Sequence, residues 1–120
     1  MNKRILIVDD EKPLAKALEL KLTHEGFDVK AVFNGVEAIE ALKSGVFSLV
    51  LLDLVMPQQG GFKVLEEIQR LKFKTSVIVS SNLSQDEDIS RAKALGAVDY
   101  FVKSDTTLAD IVDKIKEHLA

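Results

Sequence analysis

The apolar positions of the chain fall into five short runs, separated by stretches in which they recur every three or four residues. The runs are Ile5-Leu6-Ile7-Val8, Val29 to Phe33, Val46 to Leu52, Ser76 to Val79 and Val98 to Val102. They are nearly continuous rather than alternating, the pattern of parallel strands buried on both faces. After the first run, Pro13 suits a first helical turn, Leu14, Leu18 and Leu22 follow at spacing four, and Gly26 offers a stop. Asn34-Gly35 opens a second helical stretch with Val36, Ile39 and Leu42, ending near Gly45, and Phe62, Leu65, Ile68 and Leu71 mark a third. Ser84, with Glu87 three residues on, reads as a capping box ahead of Ile89, Ala92 and Leu95, and Gly96 ends that helix. Leu108, Ile111, Val112, Ile115 and Leu119 form the cleanest amphipathic stripe. Strands alternating with helices predict an α/β fold, a doubly wound five-stranded parallel sheet with right-handed crossovers. The longest predicted connection, Val55 to Gly61, carries Pro57, Gly60 and Gly61 and reads as a mobile loop.

Composition narrows the class. The 120 residues are 47% hydrophobic and 29% charged, enough for one core and one domain spanning 1–120. A net charge of −3 lacks the basic excess of a nucleic-acid module, so no direct nucleic-acid partner is expected. No apolar run reaches the roughly 18 residues of a membrane span, and the four apolar residues before Asp9 are too few for a signal-peptide core. Without cysteine there is no disulfide framework, thiol nucleophile or Cys-based zinc site. The expectation is a cytoplasmic domain with no membrane partner.

In an open α/β sheet, ligands bind beyond the carboxyl ends of the strands. The first run ends in Asp9-Asp10 with Glu11 next, the third in Asp53, the fourth in Ser80-Ser81-Asn82 and the fifth in Lys103. The second ends in Asn34 and reads as an edge. If the other four are neighbours, one rim holds three carboxylates, a hydroxyl and an ammonium. Like charges about 4 Å apart cost about 4 kcal/mol at an effective dielectric near 20, so the cluster calls for a lysine, raised carboxylate pKa values or a divalent cation. Oxygen-only ligands point to Mg²⁺ or Mn²⁺ rather than zinc. An Asp beside such a cation can act as a nucleophile towards phosphorus, with Ser81 and Lys103 holding the equatorial oxygens.

These residues, taken as Val8-Asp9-Asp10-Glu11, Leu51-Leu52-Asp53-Leu54-Val55-Met56-Pro57, Val79-Ser80-Ser81 and Gly96 through Lys103, resemble the receiver domain of two-component response regulators, in order and spacing over the whole chain. The resemblance implies a flavodoxin-like (βα)5 fold with strand order 2-1-3-4-5. It implies that Asp53 accepts the phosphoryl group, and that Asp9, Asp10, Asp53 and the backbone carbonyl of Val55 hold Mg²⁺. Lys103 then pairs with the acceptor, Ser81 reaches the phosphoryl oxygen after transfer, and Tyr100 changes burial with it. The implied partners are a sensor histidine kinase or phosphotransfer protein, and a downstream effector reading the fourth helix, fifth strand and fifth helix. Arg91, Lys93, Asp99 and Asp105 supply charge there for a phosphorylation-dependent homodimer.

Three positions depart from the family's commonest pattern. Ser104 stands where proline usually follows the lysine, Asn82 where Ala or Gly usually follows the switch hydroxyl, and Gly60-Gly61 where Asp-Gly is common. Asn82 is expected to restrict access to the acceptor and Gly60-Gly61 to loosen the loop. The resemblance also implies that Val55 and Leu83, two positions after the acceptor and two after the switch hydroxyl, flank the approach of a hydrolytic water, and they are expected to tune the phosphoryl lifetime. His24 and His118, near helix ends, read as favourable C-terminal charges.

Other functions use the same residues. A Mg²⁺-dependent phosphohydrolase with an Asp nucleophile usually carries a second acid two residues on; here that residue is Val55. A nucleotide or flavin module needs a Gly-rich phosphate loop after the first strand, where this chain has Asp-Asp-Glu-Lys-Pro. A receiver-like module that binds without phosphorylation is the remaining alternative. The expected protein is a switch, not an enzyme in the usual sense, promoting only its own phosphorylation and dephosphorylation.

Overall fold

The computed structural model of the chain describes residues 3–56, 60–83 and 85–119. Strands β1 (Arg4–Val8), β2 (Asp28–Val32), β3 (Leu49–Leu52), β4 (Ser76–Ser81) and β5 (Asp99–Val102) alternate with helices α1 (Lys12–His24), α2 (Gly35–Ser44), α3 (Gly61–Arg70), α4 (Asp86–Ala94) and α5 (Leu108–Leu119). A 3-10 turn, Lys103–Asp105, stands between β5 and α5. All pairings are parallel and the order is β2-β1-β3-β4-β5, the expected flavodoxin-like receiver arrangement, with β2 at an edge.

Successive strand residues point to opposite faces, and each face is covered. Ile5, Ile7, Leu49, Leu51 and Ile78 pack with Leu18 and Leu22 of α1 and with Ile111, Val112 and Ile115 of α5. Leu6, Val8, Val50, Leu52, Val77 and Val79 pack with Ile39 and Leu42 of α2, Val64, Leu65 and Ile68 of α3, and Ala92 of α4. Burial of each such aliphatic side chain contributes roughly 1.5–3 kcal/mol, which is why the strands read as unbroken apolar runs. Ala92 is the one buried residue of α4. That helix is steadied instead by Arg91, which lies 4.1 Å from the Phe62 ring and 3.8 Å from a Glu66 carboxylate oxygen, both on α3.

Helix ends follow the sequence with some differences. At α2, Asn34 Oδ1 accepts the Glu37 N–H (2.9 Å) while Glu37 Oε1 accepts the Phe33 N–H (3.0 Å), a reciprocal cap. Ser84, expected to cap α4 with Glu87, lies outside the described residues, as do Pro57, Gln58 and Gln59 of the expected loop. The third strand is shorter than its apolar run. Val46 is 80% exposed and Phe47 drops into the core beneath α2, so regular pairing starts only at Leu49. The fourth is longer, because Ser80 and Ser81 pair with Phe101 and Val102 and belong to β4 itself.

Candidate functional site

The sheet register builds the site. Val8 lies opposite Leu52, so the next residues, Asp9 and Asp53, leave the sheet side by side. The Asp53 N–H donates to the Val8 carbonyl (2.9 Å) and the Asp9 N–H to the Val32 carbonyl (3.2 Å). Both aspartates are buried and Asp10 is exposed, yet carboxylate oxygens of all three lie within 4.8 Å of one another. On the other side, Ser81 pairs with Val102, and the 3-10 turn that follows carries Lys103 across the strand ends. Its ammonium, on a side chain only 8% exposed, sits 2.9 Å from Asp9 Oδ2, 3.0 Å from Asp53 Oδ2 and 3.2 Å from Glu11 Oε1.

Each buried carboxylate divides its oxygens. Asp9 gives Oδ2 to Lys103 and Oδ1 to the Glu11 N–H (2.9 Å); Asp53 gives Oδ2 to Lys103 and Oδ1 to the Val55 N–H (3.2 Å). Burial pushes the Asp9 carboxyl above its ordinary value, and Lys103 with the Glu11 N–H offsets this only in part. Burial pulls the Lys103 ammonium down, but Asp9 and Asp53 outweigh it and hold the lysine above its ordinary value, firmly charged. One cation thus serves three anions, two of them desolvated. The site keeps an excess of negative charge and oxygen donors, which suits a hard divalent cation such as Mg²⁺ or Mn²⁺.

Above the carboxylates lies an open cleft of about 340 Å³, lined by Asp10, Asp53 and Lys103 and by Val55, Asn82 and Leu83. Ser81 is fully buried at the end of β4, and its Oγ accepts the Leu83 N–H (3.3 Å). Tyr100 is half-buried and its hydroxyl donates to the Leu83 carbonyl (2.5 Å). Burial, with the Asp88 charge, keeps that phenol above its ordinary value and therefore a donor. The two residues meet on Leu83, one at its N–H and the other at its carbonyl, and no hydrogen bond joins Ser81 to Asp53 among the described residues.

Three features were not expected from the sequence. Glu11 is a third partner of Lys103, visible only once the lysine's reach is known. Asn82 Oδ1 accepts the Ser104 N–H at 2.9 Å. Gly61 is packed, not loose: a Cβ there would fall against the Asp53 carbonyl oxygen and 2.5 Å from Leu54 Cα, and the Gly61 N–H donates to the Leu54 carbonyl (3.0 Å). Glycine lets the start of α3 close on the end of β3 beside Asp53. Of the glycine pair, Gly61 marks a close approach of the backbone, while the loop expected to be loosened includes residues 57–59, which lie outside the described residues. Among the described residues no peptide bond is cis, Lys103-Ser104 included.

A family model described as the response regulator receiver domain matches residues 5–116. The transcriptional regulatory protein DltR of Streptococcus agalactiae is 35% identical over 100 residues, which are 83% of this chain and 45% of that protein. The chain thus spans under half the length of that relative. The crystal structure of a CheY-like response regulator receiver domain protein from Methanospirillum hungatei JF-1 superposes with a TM-score of 0.93 at 28% identity, over 99% of this chain and 94% of that one. That of response regulator protein TrrA from Thermotoga maritima, in complex with Mg²⁺ and BeF, gives 0.83 at 34% identity, over 97% and 98%.

Proposed function

The chain belongs to the response regulator receiver family of two-component signalling, and on that footing we propose that Asp53 is its phosphoryl acceptor. The observation that carries the reading is the Asp53 carboxylate itself, at the end of the central strand β3, on the cleft, with Lys103 at 3.0 Å and two further aspartates beside it. A sensor histidine kinase or phosphotransfer protein supplies the group. An Asp53 oxygen attacks phosphorus in line, the P–O bond forms as the P–N bond to the donor imidazole breaks, and the imidazole leaves with a proton.

Asp9, Asp10, Asp53 and the Val55 carbonyl would hold Mg²⁺ or Mn²⁺, which when bound offsets charge on the transferring phosphoryl oxygens. The relative crystallised with Mg²⁺ and BeF supports that choice. After transfer, Lys103 and the Ser81 hydroxyl take the new oxygens. Turning Ser81 releases the Leu83 N–H it now accepts, and Tyr100, bound to the carbonyl of the same residue, carries the change to the face made by α4, β5 and α5. A downstream effector reads that face. Of the four charges expected to support a homodimer there, Arg91 is engaged with α3 and Asp99 with Lys114 and His118, leaving Lys93 and Asp105 for it. No helix among the described residues is long and apolar enough to cross a membrane, and the cytoplasm is the proposed site of action.

Intact mass with a small phosphodonor and Mg²⁺ tests the assignment. One phosphoryl group per chain is expected, absent without the cation and absent in Asp53→Ala. Full labelling in that variant would overturn it. A chain that is never labelled would favour the phosphorylation-independent binding module. The phosphohydrolase alternative lacks its second acid, since Val55 is apolar and 58% exposed.

A further inference from the structure

We propose that Asn82 is a positioning residue that ties the switch hydroxyl to the site lysine through the Ser104 N–H, an inference that rests on the phosphoryl-acceptor reading above. Asn82 follows Ser81 at the end of β4, and Ser104 follows Lys103 after β5. The Asn82 Oδ1 accepts the Ser104 N–H at 2.9 Å across a sequence separation of 22 residues. The hydrogen bond therefore joins the immediate neighbours of the two groups that are to hold the phosphoryl oxygens.

The bond exists because of two departures from the commonest receiver pattern. Proline after the lysine has no N–H to give, and Ala or Gly after the hydroxyl has no side-chain acceptor. Ser104 restores the donor and Asn82 supplies the acceptor. The segment 81–83 is then held at three points: Ser81 Oγ on the Leu83 N–H, Asn82 Oδ1 on the Ser104 N–H, and the Leu83 carbonyl on the Tyr100 hydroxyl. Two of these lie within the path from the acceptor to Tyr100. The Asn82 bond alone reaches the Lys103 side of the site. When Ser81 turns towards a phosphoryl oxygen, displacement of residue 82 pulls on the peptide that sets the base of the Lys103 side chain. Ser81 and Lys103 then respond together rather than independently. Asn82 itself lines the cleft but makes no hydrogen bond to the acidic cluster among the described residues, so its effect passes through Ser104.

The test is a double-mutant cycle on beryllofluoride binding in saturating Mg²⁺, read by the fluorescence of Tyr100, the only tyrosine in a chain without tryptophan. Asn82→Ala removes the acceptor, and Ser104→Pro removes the donor without touching the cleft. Each single variant is expected to weaken beryllofluoride binding about two- to fivefold, the lower end of one net hydrogen bond for an exposed pair. Mg²⁺ affinity measured calorimetrically without beryllofluoride stays at the parent value. The double variant is expected to be no weaker than the weaker single, because both delete the same bond. Additive losses, parent-like binding in either single, or a parallel fall in Mg²⁺ affinity would overturn the coupling. If the unaltered chain gives no response to beryllofluoride, the receiver reading itself fails and the inference fails with it, an outcome distinct from parent-like variants of a responsive chain.

Discussion

Lys103 meets three carboxylates at once, two of them buried with it. This ammonium bridges the side-by-side carboxylates of Asp9 and Asp53 and offsets their repulsion, and a metal there would compete with the lysine for the same oxygens. Lys103→Ala should therefore bind Mg²⁺ at least as tightly as the parent while losing the beryllofluoride-driven change at Tyr100. Titration calorimetry decides it, and a sharp loss of Mg²⁺ affinity would show the lysine to be a scaffold for the metal ligands instead. Val55 and Leu83 line the cleft beside Asp53, the proposed acceptor, and neither side chain can hydrogen-bond a water. The acyl phosphate should persist, and the Val55→Asn, Leu83→Glu double variant should shorten its life. General-base assistance is typically worth about 10²–10⁴-fold, and water positioning alone the lower end or less. Equal decay rates in saturating Mg²⁺ would remove these residues from the hydrolytic path. Asp9, Asp53 and Lys103 were legible in the sequence because each directly follows an apolar run. The contact of Glu11 with Lys103 and that of Asn82 with Ser104 were not, because they span 92 and 22 residues and depend on side-chain reach rather than on position in a strand; Asn82 itself reads in the sequence only as a residue restricting access to the site.

At the scale of the elements, three helices stop in the same way. After α1, α3 and α4 the N–H groups of the next residues return to the last turn: Gly26 to Thr23 and Phe27 to Leu22, Lys72 to Gln69 and Phe73 to Ile68, Gly96 to Lys93 and Ala97 to Ala92. The motif needs a left-handed residue, supplied by Gly26 (φ 97°), Gly96 (φ 106°) and Lys72 (φ 57°). Two of the stops were readable because glycine marks them, whereas the end of α3 had no mark beyond the last apolar position, Leu71. A side chain in this region costs roughly 1–2 kcal/mol in backbone energy, partly offset by glycine's greater freedom in the unfolded chain. Lys72→Gly should thus raise stability by up to about 1 kcal/mol in urea unfolding, with site chemistry untouched. A loss of stability would mean that the Lys72 side chain holds α3 by contacts of its own. The over-long third strand shows the converse limit: Val46, Phe47 and Leu49 are all apolar, and only the packing of Phe47 under α2 separates connection from strand.

For the whole molecule, the alternation of runs and stripes was enough to give a doubly wound sheet. The strand order came only with the receiver resemblance, since local patterning does not say which runs are neighbours. The charge that closes the fold was also out of sight. Helix α5 is tied to β5 through Lys114 and His118 on Asp99, to the residue just after α1 through Lys116 on Glu25, and to the residue before β1 through Lys3 on the Leu119 carbonyl. Burial raises the Asp99 carboxyl, but His118, the Tyr100 N–H and Lys114 outweigh it and bring it below its ordinary 3.8; Lys116 lowers Glu25 below 4.5. A depressed carboxyl contributes stability that is present above the unfolded value and lost as pH falls through the folded one. Asp9 has the opposite sign: its raised carboxyl contributes stability below 3.8 that is lost as pH rises through its folded value. The acid flank of stability should therefore set in below about pH 4.5 and be carried by the ties of α5, with Asp9 working against it. In metal-free buffer, Asp99→Asn with Glu25→Gln should melt lower than the parent at neutral pH and converge with it in acid. Asp9→Asn should melt higher at neutral pH and lose more on acidification. Thermal melts from about pH 7 down to about pH 3 read both signs in one series. An α5 double variant that follows the parent across the whole range would show these surface pairs to be energetically silent, and an Asp9→Asn chain that melts lower at neutral pH would show that Lys103 needs Asp9 more than burial penalises it.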